Sequence, residues 1–412
     1  MRMCPAYAFF GGSRQMRTVH RRSGHLRTKR RASVTVLTGV SMTVLLGFAA
    51  LTIDVGMLYN VRVELQRTAD AAALAGASKL LDDDLLKGGS NVSDVLQAAQ
   101  QAAQSITALN LVQNASPQVI AADIRAGYLN NMNNLSEAIN FNSPTQYNTV
   151  QVTVRRDGSA NGPVPLIFGR IFGLNSANVT ATAAAAYKGK VVGFQATSQT
   201  GNAKLMPFAL SVYAWTQLLA QSGGLTDEYS YDSDNHTVAS GSDGIFEINL
   251  YPSDETGQLP PGNFGTVDIG SSSNNSTQHL SDQIRYGITA DDMSYYDGKL
   301  QLGEDGTLML TGSTISLTGD TGLSAAIKDD LKFIIGKSRA IPLFNQVIGP
   351  GNNSVFTIVG FAGIRIVDVK LTGPESKKRV LIQPALVVDD TVITSTSSGP
   401  SYFVTAPVQL VR

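Results

Sequence analysis

The chain has 412 residues, 43% of them hydrophobic and 16% charged, with 32 basic and 32 acidic side chains. That length leaves room for two or three domains, and the apolar content excludes a disordered chain. A single cysteine, Cys4, excludes an internal disulfide and a cysteine-based zinc site.

The balanced charge hides an asymmetry. Residues 1–31 hold nine basic side chains and no acid, and Ala32 to Ile53 is uncharged. The remaining 23 basic and 32 acidic groups lie from Asp54 onward, a net charge of −9. Phosphate neutralisation needs surplus Lys and Arg, so no nucleic-acid partner is expected for the body. The basic arm leads directly into "VTVLTGVSMTVLLGFAALTI", Val34 to Ile53, twenty residues without a charge. At about 1.5 Å per residue this helix spans roughly 30 Å, the thickness of a hydrocarbon core. Positive charge before it and Asp54 after it predict a cytoplasmic N-terminus and an extracytoplasmic body. Gly47-Phe48-Ala49 offers a small-x-small cleavage site, but the apolar run exceeds a signal h-region of about 7–15 residues, which favours an anchor. Thr35, Gly39, Thr43 and Gly47 recur every fourth residue and form a stripe that a second helix can approach closely.

The helical pattern runs on beyond Asp54. Leu58, Val61, Leu65, Ala69, Ala72, Gly76 and Leu80 follow steps of three and four, one face of a helix. Glu64, Arg67 and Asp70 fall on the far side. Alanine combines high helix propensity with close backbone approach. A helix that keeps this character outside the membrane is expected to keep one contact with a partner helix.

The stretch from Ala32 to Leu80 resembles the N-terminal domain of TadG-like proteins of the Flp (tight adherence) pilus assembly system. The resemblance rests on the uncharged span, the Asp54-Val55-Gly56 exit, Leu58-Tyr59, Arg62, Leu65-Gln66 and the string from Ala69 through Asp70 to Ala77. Asp54, Tyr59, Gln66 and Asp70 are its motif positions. Pro163 to Tyr187, "PVPLIFGRIFGLNSANVTATAAAAY", resembles the short amphipathic segment and Ala/Thr strand that follow in TadE- and TadG-like proteins. The resemblance implies a part in assembling or anchoring a Flp-type pilus or a related envelope machine. Its implied partners are the membrane and pilin-like or secretion-platform proteins, with self-association as a further option. Two departures limit what carries over. No D-x-S-x-S motif of a von Willebrand-type metal site is present. Pilin-type precursors carry glutamate five residues after a glycine, whereas Val44 follows Gly39 and Thr52 follows Gly47 at that distance.

Past "DDDLLKGGSN", with Gly88-Gly89 as a breaker, Asp94 to Leu111 reads as a second helix. Its expected apolar face is Val95, Ala99, Ala102, Ile106 and Leu109, with Ser93 as N-cap. From Asn148 the period changes to two: Val150, Val152 and Val154 alternate, and "NVTATAAAAY" follows as a second strand. Beyond Lys190 the pattern is mostly β. Strands are expected at Gly244 to Pro252, in "KLQLGEDGTLMLTGSTISL", over Ser354 to Leu371, in "RVLIQPALVVDD" and in "YFVTAPVQLV". Thr321 to Gly336 reads as a helix with Leu323, Ile327, Leu331, Ile334 and Ile335 inside. "SSSNNSTQ", Ser271 to Gln278, is a polar loop, and Gly262 and Gly265 serve a turn.

A search for chemistry finds little. His20 and His25 lie in the basic arm, which leaves His236 and His279, without a G-x-S-x-G elbow or an H-E-x-x-H helix. "IIGKS", Ile334 to Ser338, lacks the earlier glycine of a phosphate loop, since position 331 is leucine, and it ends a helix instead of opening one. "YDSDNHTVASGSDG" has carboxylates at Asp232, Asp234 and Asp243, but Thr237 stands where a calcium loop needs glycine, so a turn between strands is expected.

These readings give an α+β protein in four parts: a basic cytoplasmic arm (1–31), a transmembrane and helical domain (32–80), a helix with a short α/β segment (81–190) and a β-rich extracytoplasmic domain (191–412). No catalytic, cofactor or metal site is expected. The helix-packing residues are Gly39, Thr43, Gly47, Ala69, Ala72 and Gly76. The expected role is structural, in the inner membrane. A membrane-anchored surface adhesin or binding module is the first alternative, and an envelope hydrolase using His236 or His279 the second.

Overall fold

The structure, a computed structural model, describes residues 30–87, 92–142, 147–222, 224–251, 265–270, 276–303, 308–310, 313–314, 316–319, 325–374, 377–395 and 402–412. The basic arm with Cys4, His20 and His25, the Gly88-Gly89 breaker, Gly262, most of the polar loop before Gln278 and Leu323 lie outside the described residues. The chain forms two compact units, Met1–Val55 and Gly56–Arg412. Helix α1 (Arg30–Ser78) contributes its first part to the former and its second part to the latter.

In the first unit the apolar side chains face outward: Val34, Leu37, Val40, Leu45, Phe48 and Ile53 are all more than half exposed. The helix is long and apolar enough to cross a membrane, and none of its apolar stretch is buried by the rest of the chain. Its hydroxyls are satisfied locally. Thr38, Thr43 and Thr52 donate to the carbonyls of Val34, Gly39 and Phe48 at 2.8, 3.0 and 2.8 Å. A helix in hydrocarbon must meet its polar groups from within in this way.

In the second unit the face set by the three-and-four spacing is inside. Val61, Leu65, Ala69, Ala72 and Leu80 are buried together with Ala73 and Ala77. They pack on helix α2 (Val92–Leu109) and on a sheet built from β1 (Ile124–Gly127), β2 (Thr149–Arg156) and β5 (Val179–Ala186). Val150, Val152 and Val154 alternate as expected and all reach the helices. The α2 face differs from the expected one: Val95, Ala99, Ala103 and Thr107 point inward, and Leu109 is exposed. Small residues hold this inner row because α1 lies close, and Thr107 meets its buried hydroxyl need at the Ala103 carbonyl. Ser93 lies within the first turn of α2, two residues past the capping position, and so is not its N-cap.

Between β2 and β5 the chain makes an excursion, β3 (Val164–Pro165) and β4 (Ser176–Ala177) joined over a short 3-10 turn at Gly169–Phe172. The remaining elements follow in order. They are β6 (Val191–Phe194), β7 (Leu210–Ser211), α3 (Val212–Leu219), β8 (Tyr229–Asp232), β9 (Thr237–Ser240), β10 (Ile248–Asn249), α4 (Thr277–Tyr286) and α5 (Ala290–Ser294). Then come β11 (Leu300–Leu302), β12 (Leu308–Leu310), β13 (Ser313–Thr314), β14 (Ser316–Thr318), α6 (Lys328–Phe333), β15 (Ser338–Ile348) and β16 (Val355–Lys370). The chain closes with β17 (Arg379–Pro384), β18 (Val387–Val388), β19 (Val392–Thr394), β20 (Val404–Thr405) and β21 (Gln409–Leu410). The main sheet has the order β10-β17-β16-β15-β7, and a second has β13-β12-β11-β6-β19. Strand β16 is buried on both faces. Ala362, Ile364 and Ile366 lie in a core with Trp215 and Leu331, while Phe356, Ile358 and Phe361 lie in another with Phe194 and Leu300. That explains its near-continuous apolar run. The architecture is α+β.

Two features join the early and late parts of the second unit. The expected last strand splits: β20 pairs with β18, whereas β21 crosses to β5 and completes the first sheet as β1-β2-β5-β21. Strand β5 ends in four consecutive buried alanines, and its outer edge needs this partner. The second feature is ionic. Arg365, on β16 and 4% exposed, donates to Asp83 just beyond α1 at 2.6 Å. It also donates to the Gly336 carbonyl at 3.0 Å and stacks on Tyr231 at 3.4 Å. The other Asp83 oxygen accepts the Leu386 amide at 2.8 Å. Breaking one side of a buried pair strands the other charge. Asp83→Ala is therefore expected to cost about 3 kcal/mol of stability, read as a lower denaturation midpoint.

Candidate functional site

The candidate site is the small-residue stripe of α1, and the structure divides it in two. In the first unit Gly39 and Gly47 stand in open space, with nothing within 4 Å of a Cβ built on either, and Thr43 is exposed between them. In the second unit Ala69 and Ala72 are buried against the chain's own sheet and α2. Gly76 marks the closest approach. A Cβ there meets Val150 Cγ1 at 3.0 Å, the Ala99 carbonyl at 3.2 Å and Ala103 Cβ at 3.5 Å. The surface expected to face a partner helix beyond the span is thus covered by the chain itself, and the uncovered small residues lie in the apolar stretch.

The motif positions serve different ends. Gln66 donates to Asp70 at 2.8 Å, one turn along, and to the Thr182 carbonyl of β5 at 3.3 Å. Together they clip the polar flank of α1 to the sheet. Glu64, read from the sequence as a solvent-side charge, accepts the Gln113 amide at 2.8 Å. Arg67 is exposed, as its spacing predicts. Tyr59 is exposed and Asp54 is buried.

The histidines occupy structural positions. His236 sits at the β8–β9 turn and bonds the Tyr231 hydroxyl at 3.0 Å. His279 Nε2 lies 2.6 Å from Asp292 Oδ1. The other Asp292 oxygen accepts the Thr289 amide and hydroxyl and closes the capping box of α5. The carboxylate loop is a hairpin turn, with Asp232 Oδ1 accepting the Asp234 and Asn235 amides at 2.9 and 3.1 Å. Helix α6 ends at Phe333 with Ile334 as its C-cap, so Gly336 is not the cap the sequence suggests; at φ +82° it lies in the turn beyond, and β15 begins two residues later, so the Gly-Lys-Ser run joins a helix to a strand.

Glu247 is a carboxyl that sequence spacing does not reveal as special. It is buried and accepts the Glu228 and Tyr229 amides at 2.9 and 3.1 Å. Burial pushes its pKa up to about 7, against those donors and with Asp227 and Asp243 adding repulsion. The folded chain holds this proton more tightly than the unfolded chain. Its contribution to stability is therefore full below about 4.5 and declines as pH rises through about 7. Glu247→Gln is expected to flatten that decline, on the order of 2 kcal/mol, in denaturation midpoints taken across the same range.

Taken together, the geometry defines a module in which one helix carries an open apolar stretch and then roofs a small antiparallel sheet. Residues 32–79 match the Tad family model, described as Flp pilus-assembly TadE/G-like. Residues 61–185 match the Tad_C model, described as Tad-like Flp pilus-assembly. The N-terminal region of the chain is TadG-like. The second match runs from Val61 to Ala185, the same limits as the core that α1, α2 and the sheet enclose. No characterised protein and no solved structure matches the chain.

The tight fit at Gly76 leaves no room for a larger side chain. Gly76→Leu is expected to lower stability by about 2 kcal/mol, seen as a drop in thermal midpoint, because the Ala99 carbonyl and Val150 cannot both retreat.

Proposed function

We propose that the protein is a membrane-anchored structural component of a Flp-type pilus assembly system or a related envelope machine. The observation that carries this reading is the division of the small-residue stripe: the body fills its own half, and Gly39, Thr43 and Gly47 are left open on an apolar helix. In hydrocarbon no hydrophobic force joins helices, and close backbone approach at small residues takes its place. The matches to two Tad families over residues 32–185 support the pilus-related role. The nine basic residues before the span support an inner-membrane position with the N-terminus in the cytoplasm and the body outside. The partners this reading calls for are pilin-like or secretion-platform helices, or a second copy of the chain. No chemistry is assigned to the body.

A bulky residue at Gly47 touches nothing else in the chain. Gly47→Leu is therefore expected to leave insertion and folding unchanged while weakening partner association roughly tenfold. In-cell cross-linking, detergent extraction and mass spectrometry of the tagged full chain measure this. Equal recovery of partners by the variant removes the packing role. Recovery of the protein alone, wild type included, moves the function to an independent surface module.

A further inference from the structure

The excursion between β2 and β5 presents an apolar surface that the body does not cover. Ile167, Ile171, Phe172 and Leu174 are 59%, 75%, 71% and 62% exposed. Underneath, Leu166 is buried and supports the turn, and Val164 belongs to the core shared with α1. The tip closes its own backbone. Ile171 donates to the Phe168 carbonyl at 3.0 Å, Gly173 to Arg170 at 3.1 Å, Leu174 to Gly169 at 3.0 Å and Leu166 to Asn175 at 3.0 Å. A turn that bonds four of its amides internally and leaves four large apolar side chains exposed is suited to the boundary of a medium poor in water.

Its place in the second unit says which medium. Helix α1 crosses the sheet in a fixed direction: Gly76 lies over Val150, and Gln66 bonds Thr182, which pairs with Thr153. Going back along α1 toward Gly56 therefore leads to the end of the sheet where Arg156 pairs with Val179. Met57 and Leu58 pack into the same core as Val179 and Val164. A chain of polar contacts marks the same end, from Glu64 to the Gln113 amide, from the Gln113 side chain to Arg156, and from Arg156 to the Gly162 carbonyl at the base of the excursion. The excursion that carries the apolar tip thus leaves the sheet at the end at which α1 enters the body. In the sequence only Asp54 and Val55 separate Gly56 from Ile53, the last residue of the apolar run.

We infer that the tip formed by Ile167, Ile171, Phe172 and Leu174 inserts into the outer leaflet at the level of the headgroups. It gives the protein a second, shallow membrane contact beside its span. Immersion of about 5–10 Å is the usual depth for such apolar elements. Arg170, exposed among them, places its cation at the lipid phosphates while its stem lies along the acyl boundary. The inference rests on the reading of Val34–Ile53 as a membrane span.

The test uses the full chain in a Cys4→Ser background, reconstituted in phosphatidylcholine vesicles with some phosphatidylglycerol. Single cysteines carry an environment-sensitive dye at Phe172→Cys or Leu174→Cys in the tip, at Ser41→Cys in the span, and at Asp234→Cys in the exposed β8–β9 turn. Nitroxide lipids quench from a shallow or a deep position, and iodide quenches from water. Both tip labels are expected to be quenched several-fold more by the shallow nitroxide than the Asp234→Cys label and to be shielded from iodide. Iodide quenching of the tip equal to that at Asp234→Cys overturns the inference. Shielding of the tip from lipid and water alike also overturns it, since protein then covers the tip. The Ser41→Cys label separates the two readings. Deep quenching there with a water-exposed tip rejects only the second contact, and no lipid quenching there rejects the span and the inference with it.

Discussion

The N-terminal half of the body depends on how closely α1 can approach its own sheet. Ala69, Ala72, Ala73, Gly76 and Ala77 leave almost no side chain between the helix backbone and the valines of β2. Each small residue removes little apolar area from water. Their combined effect is to let long rows of atoms meet at van der Waals distance, where weak attractions add. A glycine inside a helix gives up about 1 kcal/mol against alanine. At position 76 the contact with the Ala99 carbonyl and Val150 leaves glycine as the residue that fits without displacement.

On the reading of Val34–Ile53 as a membrane span, the same composition meets two solvents along one helix. In water, burying the alanine face is driven by the apolar area of the valines and leucines opposite. In lipid that drive vanishes, and small residues act only through close approach. The polar groups follow suit. The threonines of the apolar stretch bond back to their own helix, whereas Glu64, Gln66 and Asp70 farther along reach across to the body or to each other.

Periodicity made the helix face and the Val150–Val154 alternation legible, and the apolar run over Ser354 to Leu371 legible as strand though not as one buried on both faces. What it could not show are contacts between distant positions. Nothing near Gln409 announces that it pairs with β5, and nothing near Asp83 names Arg365. The α2 face was misplaced by a residue because alanine and glutamine alternate there and give hydropathy little contrast, so Ala103 and Ala102 read alike. The division of the stripe between the chain and an outside partner was equally hidden. Alanine and glycine have the same spacing whether the neighbour is one's own sheet or another protein. The apolar run "PLIFGRIFGL" is visible in sequence, but its exposure is set by a buried Leu166 and a self-bonded backbone, which only the fold displays.

These long-range contacts determine how the late part of the body is held to its early part. The residues after Lys190 could have formed a domain on a string. Instead, β21 is hydrogen-bonded into the sheet that α1 roofs, and Arg365 grips Asp83 just past the end of that helix. Val411 and Arg412 extend the grip: the Val411 amide meets Ala184, and the Arg412 guanidinium meets the Leu135 and Glu137 carbonyls. Separating the late β region from the anchor-proximal sheet therefore requires breaking strand pairing and a buried ion pair at once. Local opening draws on regions with few such ties, and here the ties are doubled.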